Sequence, residues 1–297
     1  MKHPRRQLAA LILAFSFLPS AASAISARAP QGSSAAIVRV ERDLLYGTVG
    51  GQRLLLDAYL SGEKGALRPA VVFVHGGGWR SGDKTAFAPG EQSFAPSATR
   101  LVQLGFAVFS VDYRLAPTGR YPAAVNDIAT AIRWIRAQAG RFGVDPSRLG
   151  LFGASAGGNL AALAATRGQG PLETGARVRA VVSWSGPMDL TLFDAELGGP
   201  SQHPFVEEYI GCAPTVCPAS YRAASPLTHV DRSDPPTLLV NSTGEVVPLA
   251  QAREMAARLT AAAVPHQLLV LAGSRHAGQY AGAVWQQTTR FLERYLR

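Results

Sequence analysis

The sequence predicts an α/β chain built on a mainly parallel sheet, and three observations predict it. Short, almost wholly apolar runs such as Ala70–Val74 and Phe106–Val111, the latter broken only by Ser110, recur, as strands buried on both faces require. Segments with apolar residues at helical spacing fall between those runs from about residue 70 to the end, the alternation expected of βαβ units. The composition, 47% hydrophobic and 16% charged over 297 residues, suffices for a sizeable core and excludes disorder as the main state.

The elements follow in order. Ile37–Val40 and Arg53–Leu60 read as strands joined through the Gly50-Gly51 turn, an antiparallel start. Ala70–Val74 and Phe106–Val111 are the first buried strands. Tyr121–Ala139 places Ala124, Ile128, Ala131, Ile132 and Ile135 on one helical face. Arg148–Phe152 is a strand followed by the small-residue helix Ala156–Ala165, and Val178–Trp184 is the next strand. Residues 186–234, rich in Gly, Pro and polar side chains, break the alternation and read as a loop-rich insertion over the strand ends. Thr237–Asn241, a helix over Leu249–Ala262, Gln267–Leu271 and a helix over Gly278–Tyr295 complete the chain. No internal repeat and no long linker divides it.

Residues 1–24 have the order of a secretory signal peptide: basic Lys2, Arg5 and Arg6, the uncharged apolar run Leu8–Leu18, then Ala22-Ser23-Ala24 as a cleavage site. As a helix that run would span ~16 Å, too short for a hydrocarbon core of ~30 Å. Residues 25–36 read as a mobile lead-in and 37–297 as one catalytic domain. Loss of the leader lowers the formal charge of +9 by three. The remaining arginines are scattered, without a basic run or interleaved aromatics, which argues against nucleic-acid binding and leaves a solvated basic surface able to attract acidic polymers. In an exported chain the close pair Cys212 and Cys217 suggests a disulfide, and no second Cys/His pair stands at zinc-finger spacing.

Two glycine-rich motifs carry chemistry. Gly153-Ala154-Ser155-Ala156-Gly157 lies between a predicted strand and a predicted helix, the context of a nucleophile elbow, whose tight turn requires small residues two positions either side of Ser155. A dinucleotide fingerprint does not fit, because its middle glycine falls on Ser155. His75-Gly76-Gly77-Gly78-Trp79 directly follows the strand Ala70–Val74. Its glycines let backbone N–H groups approach a ligand, as an oxyanion hole needs, and no Lys-Ser or Lys-Thr follows as in a phosphate loop.

Together with Asp112-Tyr113-Arg114-Leu115-Ala116-Pro117, these motifs occur in an order that resembles the α/β-hydrolases of the hormone-sensitive-lipase-like and feruloyl-esterase-like groups, from about residue 52 to the C-terminus. The resemblance implies an α/β-hydrolase fold with an eight-stranded sheet and helices on both faces, no metal or cofactor, and carboxylic ester hydrolysis. It further implies an oxyanion hole formed by the N–H groups of Gly77, Gly78 and Ala156, with His75 supporting the loop.

The base is placed at His276, in Gly273-Ser274-Arg275-His276-Ala277 just past the last strand, in the chain order Ser, acid, His. His203 and His229 lie in the insertion, and His266 precedes a strand. The acid should follow Thr237–Asn241. In many of the proteins resembled an aspartate stands four residues before a proline, where this chain has Gly244. Glu245 is the neighbouring carboxylate and is favoured; Asp189 is the alternative. Asp112 and Asp145 are read as turn caps, and Asp127 as a partner of nearby backbone. The expected activity is a secreted or periplasmic serine esterase acting on small-molecule or polysaccharide-linked esters, with short acyl groups first. An amidase, formamidase or peptidase on the same triad is an open alternative, as is an inactive binding protein of this fold.

Overall fold

The computed structural model describes residues 38–62, 65–88, 98–192 and 204–297. The predicted leader and lead-in lie outside the described residues.

The chain opens on a hairpin. Strands β1 (Val38–Val49) and β2 (Gln52–Ser61) are antiparallel, and Gly50 and Gly51 turn between them with φ of 58° and 81°. Left-handed backbone at both turn residues matches the twist of the flanking strands, which glycine adopts without strain. β1 runs well past the predicted Val40, through Glu41-Arg42-Asp43. It is the outermost strand of the sheet and largely exposed, so its pairing with β2 defines it and hydrophobic alternation does not.

The remaining strands are β3 (Arg68–Val74), β4 (Ala107–Val111), β5 (Val144–Ala154), β6 (Ala180–Trp184), β7 (Thr237–Ser242) and β8 (His266–Leu271). They form one eight-stranded sheet in the order β1-β2-β4-β3-β5-β6-β7-β8. From β4 onward every neighbouring pair is parallel. β4 and β6 are buried along their whole length and β3 along all but its first residue, as strands covered on both faces must be. Alternate residues show the two coverings. Val72 and Val74 join a core with α2 (Ala123–Ala137) and α4 (Ala156–Thr166), whereas Val71 and Phe73 join a second core. That second core holds α1 (Ala98–Gln103) and the C-terminal helix Ala281–Leu296. α2 buries the predicted stripe Ala124, Ile128, Ala131, Ile132 and Ile135, and the short α3 (Ala139–Phe142) leads into β5.

The 186–234 insertion is more helical than its composition suggested. It contains α5 (Pro204–Ile210), α6 (Pro218–Ala223) and a 3₁₀ turn at Pro226–His229. Proline supplies the pre-set φ at each start, and each helix is too short to show a hydrophobic period. Helix α7 (Leu249–Ala261) lies beside the last two strands and α8 (Ala281–Leu296) packs against β5 and β6, with a 3₁₀ turn at Ala277–Tyr280 preceding α8. None of the described helices is long and apolar enough to cross a membrane.

Of the aspartates read as caps or backbone partners, Asp112 and Asp127 do more than bond locally. Asp145 accepts from Ser147 N at 2.9 Å, the local turn expected, but Asp112 Oδ1 accepts from Lys84 N at 2.7 Å across 28 residues. Asp127 is buried and takes the Arg114 guanidinium on both oxygens (Nη2 at 2.7 Å, Nε at 2.9 Å), besides Arg114 N at 2.9 Å. Removing one member of a buried pair strands the other, so Asp127→Ala is expected to cost about 3 kcal/mol in urea unfolding; a loss under about 1 kcal/mol would contradict this role.

Candidate active site

Ser155 stands between β5 and α4 at φ 55° and ψ −125°, a left-handed conformation rare for a residue with a side chain. The neighbours explain how the chain tolerates it. A Cβ on Gly153 would fall 2.0 Å from Gly157 O, and one on Gly157 would fall 2.1 Å from Val74 O and 2.3 Å from His75 O. Only glycine at both positions lets the elbow close and lets β3 pass beside it. Ser155 N donates to Trp184 O at 2.8 Å, fastening the turn to the end of β6.

The glycine loop after β3 lies directly against the elbow. A Cβ on Gly76 would meet Ala154 O at 2.9 Å and Ser155 Cβ at 3.2 Å. Gly77 and Gly78 follow with φ of 108° and 60°, and Gly77 O accepts from Arg80 N at 3.2 Å and Ser81 N at 3.1 Å, closing the loop on itself. His75 is buried. Its Nδ1–H donates to Gly76 O at 2.7 Å, and its ring stacks on Tyr113 at 4.3 Å. Burial pulls its pKa down to about 4, so it is neutral in ordinary buffers. Tyr113 OH donates to His75 O at 3.0 Å, and Ala116 N donates to Trp79 O at 2.9 Å. The Asp112–Pro117 segment is thus the brace of the glycine loop.

At the other end of the site, β7 and β8 deliver a carboxylate and an imidazole. Glu245 Oε2 is hydrogen-bonded to His276 Nδ1, and Glu245 Oε1 accepts from Ser242 N at 2.6 Å. The Glu245 side chain is fully buried and that of His276 is one quarter exposed. An ionised carboxylate only accepts, so Nδ1 carries the proton and Nε2 is left as the acceptor. Gly244, where a shorter aspartate would stand in the proteins resembled, donates its N–H to Gly273 O at 2.9 Å and holds the two strand-end turns together. Asp189 is engaged elsewhere: its Oδ1 accepts from Thr191 N at 2.8 Å and Thr191 Oγ1 at 2.6 Å, and its N–H donates to Gln251 Oε1 at 2.7 Å.

Several positioning residues escaped sequence reasoning. Ser185, just after β6, has φ 52° and is fully buried. Its Oγ accepts from Ala277 N at 2.9 Å and lies 2.7 Å from Tyr280 OH, which donates to Val240 O at 3.0 Å. Ser242 Oγ donates to Arg275 O at 2.6 Å, and His276 N donates to Gln279 Oε1 at 2.8 Å. The segment carrying His276 is therefore held from three sides. Asn159, one turn into α4, accepts from Trp79 Nε1 at 3.3 Å and donates to Pro187 O at 2.9 Å, joining glycine loop, elbow helix and insertion. The only signal for these residues was a left-handed serine and buried polar side chains, and neither is visible before folding.

The other candidates are placed as follows. Cys212 and Cys217 form a disulfide. His229 Nε2 donates to Ala223 O at 2.8 Å and His266 Nδ1 to Val264 O at 2.9 Å; His203 lies outside the described residues. Among the described residues no cluster of three or more His, Cys, Asp or Glu could hold a metal ion. A cavity of about 450 Å³ lined by Arg39, Arg68 and Gly143 lies at the opposite, N-terminal edge of β3 and β5, away from Ser155.

Comparison with known proteins gives a consistent picture. The BD-FAE family matches residues 56–259. Esterase LipQ of Mycobacterium tuberculosis is 32% identical over 253 residues, covering 82% of this chain and 58% of LipQ. The chain spans a little over half the length of the curated relatives it matches first. A truncated carbohydrate esterase from gut microbiota superposes with a TM-score of 0.76 at 24% identity, over 89% of this chain and 98% of that one, a likeness of fold. The butyrate-bound esterase Est2 of Thermogutta terrifontis gives a TM-score of 0.66 at 25% identity over 89% of this chain and 94% of its own. Sheet and neighbours together are those of the α/β-hydrolase fold.

Proposed function

Because the chain belongs to the BD-FAE family, we propose that it is a carboxylic ester hydrolase acting through Ser155, His276 and Glu245. The observation that carries this reading is the buried Glu245 on His276 Nδ1, at the same sheet edge where Ser155 is held left-handed against a glycine loop. His276 Nε2 takes the proton of Ser155 Oγ as that oxygen attacks the ester carbonyl. Glu245 holds the tautomer and offsets the imidazolium charge. The N–H groups of Gly77, Gly78 and Ala156 receive the oxyanion, each such donor contributing about 3 kcal/mol of barrier reduction. The imidazolium then protonates the departing alcohol, and a water activated by the same base clears the acyl-enzyme.

Short acyl esters are the proposed substrates, of small molecules or of a polysaccharide. The butyrate held by Est2 supports the short acyl group, and the carbohydrate esterase fold neighbour is in keeping with a polysaccharide as the alcohol. We place the protein outside the cytoplasm, on the leader pattern of residues 1–24 and the Cys212–Cys217 disulfide. Sequencing of the exported protein is expected to begin at Ile25; a retained Met1 would defeat that placement.

The test of the activity is labelling with a fluorophosphonate together with turnover of p-nitrophenyl acetate and butyrate. One label per chain, on the peptide containing Ser155, and hydrolysis that the label abolishes are the expected results. A chain that neither labels nor hydrolyses is a binding protein of this fold, and labelling with turnover of amides alone moves the substrate class.

A further inference from the structure

Three consecutive residues of the glycine loop meet α5. A Cβ on Gly78 would lie 3.4 Å from Phe205 Cγ and 3.6 Å from Phe205 Cβ, so the ring stands over the open face of that glycine, where any side chain would meet it. Trp79 stacks on Tyr209 at 4.9 Å with the planes 6° apart. Arg80 pairs with Glu208 at 3.2 Å, and its guanidinium lies 4.9 Å from the Phe205 ring centroid. Phe205 and Tyr209 are four residues apart, on one face of the helix. The far end of α5 is held too, since Tyr209 O accepts from Tyr121 N at 2.8 Å and Tyr221 OH donates to Cys212 O at 3.0 Å beside the disulfide. Yet Phe205 remains 41% exposed, a large apolar side chain facing the glycine expected to bind the oxyanion.

Strand order says which part of a substrate would cover it. His276 arrives on β8 and the glycine loop on β3, on opposite flanks of β5, which carries Ser155. The leaving oxygen must face His276 to be protonated, so the alcohol portion lies toward β8. The carbonyl oxygen turns to the glycine loop, and the acyl substituent, the one group left, runs from the carbon on the side away from His276, past the loop where Phe205 stands beside Gly78. We propose that Phe205 is the end wall of the acyl pocket and sets the length of acyl chain accepted. This rests on the ester-hydrolase reading above.

An apolar wall discriminates by about 10–200-fold per methylene that it admits or blocks. The experiment measures kcat/KM for p-nitrophenyl acetate, butyrate and octanoate, and for a set of acetates of different alcohols, in wild type, Phe205→Ala and Phe205→Trp. Expected is a rise of at least about tenfold in the octanoate-to-acetate ratio for Phe205→Ala and a fall for Phe205→Trp, with the alcohol series shifting by less than about threefold. Ratios within one enzyme are insensitive to how much of it is folded. Unchanged acyl ratios in both variants, or a shift confined to the alcohol series, would overturn the assignment while leaving the hydrolase reading intact. Absence of Ser155-dependent ester hydrolysis in the wild type would remove that reading, and this proposal with it.

Discussion

Ser155→Ala is expected to lower kcat for p-nitrophenyl butyrate by about 10⁶-fold, the scale seen when the nucleophile of such a triad is removed. The loss is large because the three groups act as one unit: without Oγ there is no acyl-enzyme, His276 has no serine proton to take, and Glu245 has no imidazolium to offset. Residual turnover about 10³–10⁴-fold above water should persist, because the glycine loop still binds a developing oxyanion. The variant should fold normally. Alanine is no harder to hold at φ 55° than serine, and the elbow contacts are backbone: Ser155 N to Trp184 O at 2.8 Å and Asn159 N to Ser155 O at 3.1 Å. The measurement is steady-state hydrolysis beside fluorophosphonate labelling, with circular dichroism as the control on folding. A loss of less than about 100-fold would mean that another residue is the nucleophile.

Glu245→Gln is the second large effect, expected to reduce kcat by about 10⁴-fold. Glutamine keeps the shape but offers an amide where Oε2 now meets His276 Nδ1. An amide N–H there favours the tautomer with its proton on Nε2, which cannot accept one from Ser155, and no carboxylate remains to balance the imidazolium. The comparison is Asp189→Asn. Asparagine keeps an Oδ1 acceptor for Thr191 N and Thr191 Oγ1, so activity should stay within about threefold of wild type. Near-normal turnover in Glu245→Gln with a collapse in Asp189→Asn would move the acid to Asp189.

How much of this was legible beforehand differs by element. β3, β4 and β6 are legible to within two residues, because a strand buried on both faces is nearly all apolar, with only Ser110 and Ser183 polar among their buried residues. β1 continues nine residues beyond its expected end at Val40, since an edge strand in water has no such constraint and its extent follows from the partner strand β2. The two helices of the insertion leave no sequence signal, because a helix of six or seven residues shows less than two full turns of any pattern.

The same division runs through the site. The glycines beside Ser155 and the triple-glycine loop are local requirements: a backbone too close for a Cβ demands glycine whatever surrounds it, so the sequence by itself determined the elbow, the loop and their order along an α/β chain. The choice between Glu245 and Asp189 is not local. Both follow strands that end at one edge of the sheet, and only the register of β7 against β8 sets Glu245 on His276 and leaves Asp189 in its own turn with Thr191. Ser185 and Tyr280, 95 residues apart and joined at 2.7 Å, hold the His276 segment, and Phe205 meets Gly78 across more than a hundred residues. Contacts of that separation carry no sequence period and form only once a sheet and two cores have packed; those the tertiary structure alone decided.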